Sequence, residues 1–301
     1  MKYKEAVEYL ESLQGFGSGP GVEKTKKLLA FFDSPQKRLQ YVHVSGSNGK
    51  GSTCAMINEI LIAAGYKVGL FTSPHLYKYN ERIKVNNKAI SDKEFVEYTK
   101  KIRHLIEKVR KKDESLVPGV FQVMTIMAFL YFADKKIDIG IIEVGIGGEF
   151  DSTNVIENNF ISIITNIALE HTTILGTTKE KVAKSKAGII KQGSIVITSE
   201  KSKQLKNIFK KKAKNNNEVI ELDEKDIIPL QQTRKGQKFH FKDLKNLEIP
   251  FLGKHQLENG AVAILCAQSL RKCKFNITDN HIRRGLKKSL CSLRLEVVHE
   301  K

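Results

Sequence analysis

The chain has 301 residues, with 51 Lys and Arg against 33 Asp and Glu, a net charge of +18 and a pI near 9.6. At roughly 150 residues per domain that length holds one large domain or two small ones, and an apolar content of 41% supports a buried core and excludes a disordered chain. The four cysteines, Cys54, Cys266, Cys273 and Cys291, form no C-x-x-C pair, so they read as reduced thiols of a cytoplasmic protein and not as a zinc knot.

The opening MKYKEAVEYLESL is an amphipathic pattern carrying acids, a helix and not a signal peptide. After it, short β-branched runs alternate with helical periodicity, the signature of a parallel sheet with helices on its faces. In chain order the patterns predict a strand at 41–45, a helix at 52–64, a strand at 68–71 and helices at 92–112 and 120–133. Strands follow at 138–143 and 160–165, then a helix at 179–186, a strand at 194–198, a helix at 201–214 and a strand at 218–221. A late antiparallel hairpin, 238–241 with 247–249 around the connection 242–246, precedes helices at 256–270 and 278–287. The most apolar stretch, 120–133, is interrupted by Gln122 and Thr125 and is shorter than the roughly 20 residues a bilayer requires. No repeat, low-complexity tract or long Pro/Gly linker divides the chain. The expected fold is an α/β domain of the P-loop NTPase type, a mostly parallel sheet flanked by helices with a small late β-hairpin, covering 1–288. Residues 289–301, SLCSLRLEVVHEK, turn strand-like and read as the start of a further domain.

A basic balance points to nucleic acid, a membrane surface or anionic small molecules. The densest run, 201–214 (KSKQLKNIFKKKAK), places Leu205, Ile208 and Phe209 at helical spacing. It reads as a solvated helix face, because no aromatics interleave with the lysines as stacking on single strands requires. Neither nucleic acid nor a membrane is therefore an expected partner.

The strongest local signal is the strand at 41–45 running into Gly46-Ser-Asn-Gly-Lys-Gly-Ser-Thr53. Glycines let a backbone curl so that several N–H groups face a polyphosphate, and the following helix adds the positive end of its dipole. In this reading Gly46, Ser47, Asn48, Gly49 and Gly51 form the cradle, Lys50 reaches the terminal phosphates, and Ser52 or Thr53 touches a metal. The spacing, G-x-x-G-K-G-S-T, is two residues shorter than the common G-x-x-x-x-G-K-[ST] pattern. Glu143 ends a strand containing Ile139, Gly140, Ile141 and Ile142, which puts a carboxylate at the crevice where parallel sheets bind ligands.

The loop HVSGSNGKGST resembles the ATP loop of the Mur-ligase superfamily, in particular its folylpolyglutamate synthase/dihydrofolate synthase branch, and the resemblance continues in order along nearly the whole chain. It includes Phe16-Gly-Ser-Gly-Pro-Gly21, Leu70-Phe-Thr-Ser-Pro-His-Leu76 with Asn80-Glu-Arg-Ile83, and Phe121-Gln-Val-Met-Thr125. Further on come Glu143-Val-Gly-Ile-Gly-Gly148 with Asp151-Ser-Thr-Asn154, Leu169-Glu-His171 and Lys186-Ala-Gly-Ile189. What the resemblance implies is an ATP- and Mg²⁺-dependent ligase adding L-glutamate to dihydropteroate or a reduced folate through an acyl phosphate. It implies that Glu143 and His171 hold magnesium, that the Ser73 hydroxyl completes the first metal site with Ser52, and that Lys186 is a lysine which becomes carbamylated. A free Lys186 paired with phosphate is the alternative. Asn259 resembles the adenine contact, and Arg294 the arginine opening a second domain.

Three departures accompany the match. Glu149 stands where the family has arginine, a charge reversal beside Glu143, and Glu170-His171 replaces Asp-His. The family continues past Arg294 into a second α/β domain with an Asp-Gly-Ala-His-Asn-Pro motif, and this chain ends at Lys301. The expectation is thus a monomeric ligase, or else a catalytically incomplete ATP-binding fragment or one half of a split ligase that pairs with a complementary C-terminal half. A Mur ligase acting on a cell-wall precursor is disfavoured by the 70–76 and 80–83 blocks, and a nucleic-acid ATPase by the dispersed charge.

Overall fold

A computed structural model of the chain describes residues 1–16, 21–214 and 217–289. Cys291, Arg294 and the strand-like reading of 290–301 lie outside the described residues, as does 17–20 of the Phe16–Gly21 block.

Eight strands form one sheet: β1 (Tyr41–Ser45), β2 (Val68–Phe71), β3 (Ile83–Val85), β4 (Lys88–Ala89), β5 (Ile139–Glu143), β6 (Ile161–Ile164), β7 (Ile195–Thr198) and β8 (Val219–Glu221). Their order is β4-β3-β2-β5-β1-β6-β7-β8. The six strands from β2 to β8 pair in parallel, and β3 and β4 close one edge antiparallel. Every residue of β1 and β5 is buried, as expected for strands covered on both faces, which is why both read as near-continuous apolar runs. The chain leaves β1 towards β2, returns to β5, and crosses β1 to reach β6, so direction reverses around β1. Ligands in open parallel sheets sit outside the carboxyl ends of the strands at such a switch point.

Ten helices and three more strands complete the described fold: α1 (Tyr3–Glu11), α2 (Gly21–Ala30), α3 (Lys50–Ala63), α4 (Asp92–Arg110) and α5 (Val120–Asp134) in the first half. Then come α6 (Thr172–Leu175), α7 (Lys179–Ala187), α8 (Lys203–Ala213), α9 (Lys254–Lys272) and α10 (Asp279–Lys288). A second sheet joins β9 (Ile227–Thr233), β10 (Gly236–Phe241) and β11 (Leu244–Ile249) in the order β11-β10-β9.

Alternation along the central strands assigns the layers. Val42 and Val44 of β1, with Ile139 and Ile141 of β5, pack against α3, α9, α10 and the inner face of the three-stranded sheet. Tyr41 and Ile142 turn the other way, into the cluster built by α1, α2, α4 and α5. A third cluster, around Ile164, Val196, Val182 and Phe209, seats α7 and α8. α3 and α5 are buried nearly all round, and the apolar stretch at 120–133 is core and not membrane. None of the described helices is long and apolar enough to cross a bilayer.

Several boundaries differ from the sequence expectation for local reasons. The helix expected from residue 52 begins at Lys50, capped by Gly49 with φ +84°, so the lysine belongs to the first turn and not to the loop before it. The late hairpin is one half of a three-stranded sheet with a tighter connection, Lys242 and Asp243. Its third strand, β9, is mostly exposed and carries Pro229, a residue compatible only with an edge, so no buried alternation marks it. The basic helix α8 buries Leu205, Phe209 and Ala213 and pairs Lys206 and Lys210 with Glu221 at 2.7 and 2.6 Å. Those contacts fit the solvated-face reading of the run.

The helix that carries the phosphate loop is fixed from behind by α10. A Cβ built on Gly285 would stand 2.4 Å from the Ile60 Cα and 2.5 Å from its backbone nitrogen, a contact with main chain that no rotamer change relieves. Gly285→Val is expected to cost about 1–3 kcal/mol, the usual range for overpacking. The check is a lower urea midpoint with an unchanged m value.

Candidate active site

The carboxyl ends of β1, β2, β5, β6 and β7 open into a cleft of about 1550 Å³. That exceeds the 300–1,000 Å³ of an ordinary small-molecule pocket and leaves room for more than one ligand. Ser73 after β2, Glu143 at the end of β5, Asn166 after β6 and Ser199 after β7 all line it, together with Ser47, Asn48, Gly49, Lys50, Gly51 and Ser52.

The loop after β1 owes its shape to two glycines. Gly46 has φ +142° and a Cβ there would fall 1.7 Å from Thr165 Oγ1, while at Gly49 (φ +84°) it would fall 2.3 Å from Asn259 Oδ1. The β6–α6 connection then pins the curl. Ser47 N–H donates to the Asn166 carbonyl at 2.8 Å and Asn48 N–H to Asn166 Oδ1 at 3.0 Å, and the Thr165 hydroxyl donates to the Asn48 carbonyl at 2.6 Å. Of the five residues expected to form the cradle, Ser47 and Asn48 thus have their amides already satisfied by Asn166. The first helical bond runs from Thr53 N–H to the Gly49 carbonyl at 2.9 Å. The N–H groups of Lys50, Gly51 and Ser52 therefore precede the helical ladder, where an anion is their natural acceptor.

Lys50 Nζ donates to the loop's own carbonyls, Gly46 at 2.6 Å and Ser47 at 3.4 Å. Ser52 is buried at the cleft wall, whereas Thr53 is fully buried with its hydroxyl unpartnered and, like Gly46, is not part of the lining. Asn259, on α9, is buried against the loop and donates to Gln256 Oε1 at 2.9 Å. Both residues face the cleft.

Glu143 is 3% exposed, and its Oε2 accepts the Ser73 N–H at 3.0 Å. His171 lines the same cleft in a left-handed conformation (φ +44°) at the start of α6, and it is exposed. Among the described residues no group of three or more His, Cys, Asp and Glu side chains is placed to hold a metal. One buried carboxylate, one imidazole and the hydroxyls of Ser52 and Ser73 are instead a sparse, mainly oxygen donor set. It fits Mg²⁺, which keeps several waters and takes further ligands from phosphates.

Lys186 lies behind the loop and not in the cleft. It is 1% exposed, its Nζ stands 2.6 Å from Glu170 Oε1, and it donates to the Gly46 carbonyl at 2.9 Å. Burial and the nearby Lys50 push its ammonium down from the ordinary lysine value, and Glu170 opposes that. Burial also works against the Glu170 charge, but Lys186 and Lys50 hold its carboxyl below the usual range. Glu149 bonds through its N–H to the Ser185 carbonyl at 2.8 Å and exposes its side chain at the cleft wall, so the reversed charge faces the ligand space.

Sequence reasoning passed over the tethers. Asn166 and Thr165 carry no motif; their only signal is position, polar residues directly after a buried parallel strand. Asp151, quoted only within a motif, is buried under the 145–148 turn and accepts N–H bonds from Ile146 and Thr153, both at 3.0 Å, and the Thr153 hydroxyl at 2.6 Å. Burial raises its carboxyl despite those donors.

Fold and loop together define an α/β domain with a glycine-rich loop and a cleft at its switch point. Residues 44–267 match the family described as Mur ligase middle domain. The dihydrofolate synthase/folylpolyglutamate synthase of Bacillus subtilis is 37% identical over 306 residues, spanning 99% of this chain and 71% of that protein. The folylpolyglutamate synthase of Lacticaseibacillus casei is 34% identical, spanning 100% and 72%. Among solved structures, an FPGS–AMPPCP–folate complex superposes with a TM-score of 0.93 at 32% identity, covering 99% of this chain and 74% of its own. An FPGS–AMPPCP complex gives 0.91 at 34% identity, covering 100% and 74%. The chain belongs to the folylpolyglutamate synthase/dihydrofolate synthase family of Mur ligases.

Gly49→Ala tests the cradle directly. A left-handed alanine costs about 1–2 kcal/mol, and the added methyl meets Asn259 as well. Affinity for Mg²⁺–AMPPCP, read by calorimetric titration, is expected to fall by about 10-fold or more.

Proposed function

We propose that this chain is an ATP-dependent ligase that joins L-glutamate to dihydropteroate or a reduced folate. One observation carries the reading: the amides of Lys50, Gly51 and Ser52 and the buried carboxylate of Glu143 open onto one cleft. Relatives of the same fold are solved with a nucleotide analogue and with folate.

In the first step an acceptor carboxylate oxygen attacks the γ-phosphorus, the bond to the β–γ bridging oxygen breaks, and ADP leaves. The amine of glutamate then attacks the acyl carbon of the acyl phosphate, the C–O bond to phosphate breaks, and the amine gives up a proton. The first step brings anion to anion, so positive charge must be in place beforehand. The amides at the head of α3 hold the phosphate chain. Lys50 exchanges its bonds to the Gly46 and Ser47 carbonyls for the terminal phosphates, while Lys186 keeps Gly46 tethered. Asn259, packed on Gly49, flanks the nucleotide end. Magnesium, when bound by Glu143, His171, Ser52 and Ser73, neutralises charge on the phosphates.

The reading includes residues 1–288 as one ATP-binding unit acting as a monomer in the cytoplasm, in keeping with free thiols at Cys266 and Cys273. Whether Lys186 carries a carbamate belongs to the same proposal and is read by mass spectrometry of the intact chain in bicarbonate.

The test is release of ADP and phosphate that requires acceptor and glutamate together. Nucleotide uptake without turnover would replace the reading with that of an ATP-binding fragment. Lys50→Ala and Glu143→Gln are each expected to lower turnover by about 100-fold or more, the scale of losing one preorganised charge-stabilising group. The first weakens nucleotide binding, and the second raises the magnesium concentration needed for half activity. Chelation by EDTA should abolish turnover and restored Mg²⁺ should return it.

A further inference from the structure

The wall of the cleft formed after β2 holds a cation that the phosphate chemistry does not use. Arg82 lines the cleft beside Ser73 and Pro74, and the Thr72 N–H donates to its carbonyl at 3.0 Å, which fixes its main chain beside Ser73. Its side chain is half-buried and has no carboxylate partner among the described residues. The adjacent acid, Glu81, is committed elsewhere, accepting the N–H groups of Leu76, Tyr77 and Lys78 at 2.9, 2.9 and 2.7 Å. A partly desolvated guanidinium without a counter-ion is costly unless a ligand supplies the anion.

The guanidinium is also held in place. Arg82 Nε donates to His75 Nδ1 at 2.8 Å, and its Cζ lies 5.4 Å from the centre of the Tyr79 ring. The His75 ring packs on the same tyrosine with centroids 4.4 Å apart. Arginine only donates, so His75 Nδ1 is the acceptor and the ring proton sits on Nε2. With Nε so engaged and one face against an aromatic ring, the guanidinium has its two terminal nitrogens left to donate, a pair that matches a carboxylate bidentately.

Resting on the ligase reading above, we propose that His75 is a positioning residue, which aims Arg82 at the carboxylate of the acceptor. His75 acts through Arg82 and touches no reacting atom. Orienting the carboxylate beside Ser73 and Glu143 shortens the search for the attacking geometry. It also distinguishes this cation from Lys50, whose ligand is phosphate.

The test compares equilibrium affinities of the full chain for dihydropteroate, measured with Mg²⁺–AMPPCP present, and for Mg²⁺–AMPPCP alone. His75→Leu removes the acceptor atom and is expected to weaken dihydropteroate binding by about 10-fold, the scale of one hydrogen bond to a charged group, with nucleotide affinity within about twofold of wild type. His75→Asn, which offers Oδ1 near the position of Nδ1, restores most of the loss. With Arg82→Gln already in place, adding His75→Leu causes little further loss, because the two act as one unit. Equal loss of both ligands in His75→Leu, or no recovery in His75→Asn, marks a merely structural histidine and overturns the proposal. If wild type and His75→Leu bind both ligands alike, the proposal fails while the ligase reading stands. Should wild type take up nucleotide but no dihydropteroate, the ligase reading fails and this inference with it.

Discussion

Two ammonium groups converge on one carbonyl oxygen, that of Gly46, and the rest of the site is arranged around that convergence. Lys50 comes from the first turn of α3 and Lys186 from α7, a helix seated in a different apolar cluster. Such an arrangement is repulsive unless a negative charge stands close by, and Glu170 supplies it at 2.6 Å from Lys186. The ion pair is taken from water, so its net contribution to stability is small and its effect is geometric. It ties the loop after β1 to the connection after β6, where His171 follows Glu170 directly. Gly46 is thus held from two directions, by Lys50 and by Lys186.

The apolar architecture makes this polar cluster possible. β1 lies at the centre of the sheet with β5 and β6 as neighbours, and Val44 pairs in register with Glu143 on one side and Ile163 on the other. The register places the ends of three adjacent strands level with one another. A loop, a carboxylate and the Thr165–Asn166 clamp thus meet without any residue bridging a long distance. Helices α3, α9 and α10 cover one face and press Asn259 against Gly49. The site rests on that packing, since α9 meets the loop through the Asn259 side chain and α10 meets α3 at the Ile60 main chain.

Much of this was legible in the sequence. The strands at 41–45 and 68–71 are mostly apolar, interrupted by His43, Ser45 and Gly69, because both their faces are covered, and they appear where the patterns put them. The strand at 138–143 is recognisable for the same reason, with its terminal carboxylate standing out against Ile139, Ile141 and Ile142. Elements facing solvent were less visible. β9 has neither alternation nor a buried face, and β3 and β4 are too short to show a period. The helix α6 has four residues, too few for any repeat. In the site, the glycines and Lys50 announced themselves by type, whereas Asn166 and Thr165 are ordinary polar residues whose role depends on what lies across from them.

By itself the sequence determined the kind of chemistry: a phosphate cradle, a carboxylate at a strand tip and a run of blocks that belong to one ligase family. Those features are local, a few residues whose types and spacing are dictated by backbone conformation and by charge. The tertiary structure decided which groups are available. It bonded the Ser47 and Asn48 amides to Asn166, buried Thr53, set Lys186 behind the loop, and left Arg82 at the cleft wall without an acid partner among the described residues. Each of these outcomes depends on residues far apart in the chain, as when position 47 meets position 166, and only the packing of strands and helices brings such pairs within hydrogen-bonding distance.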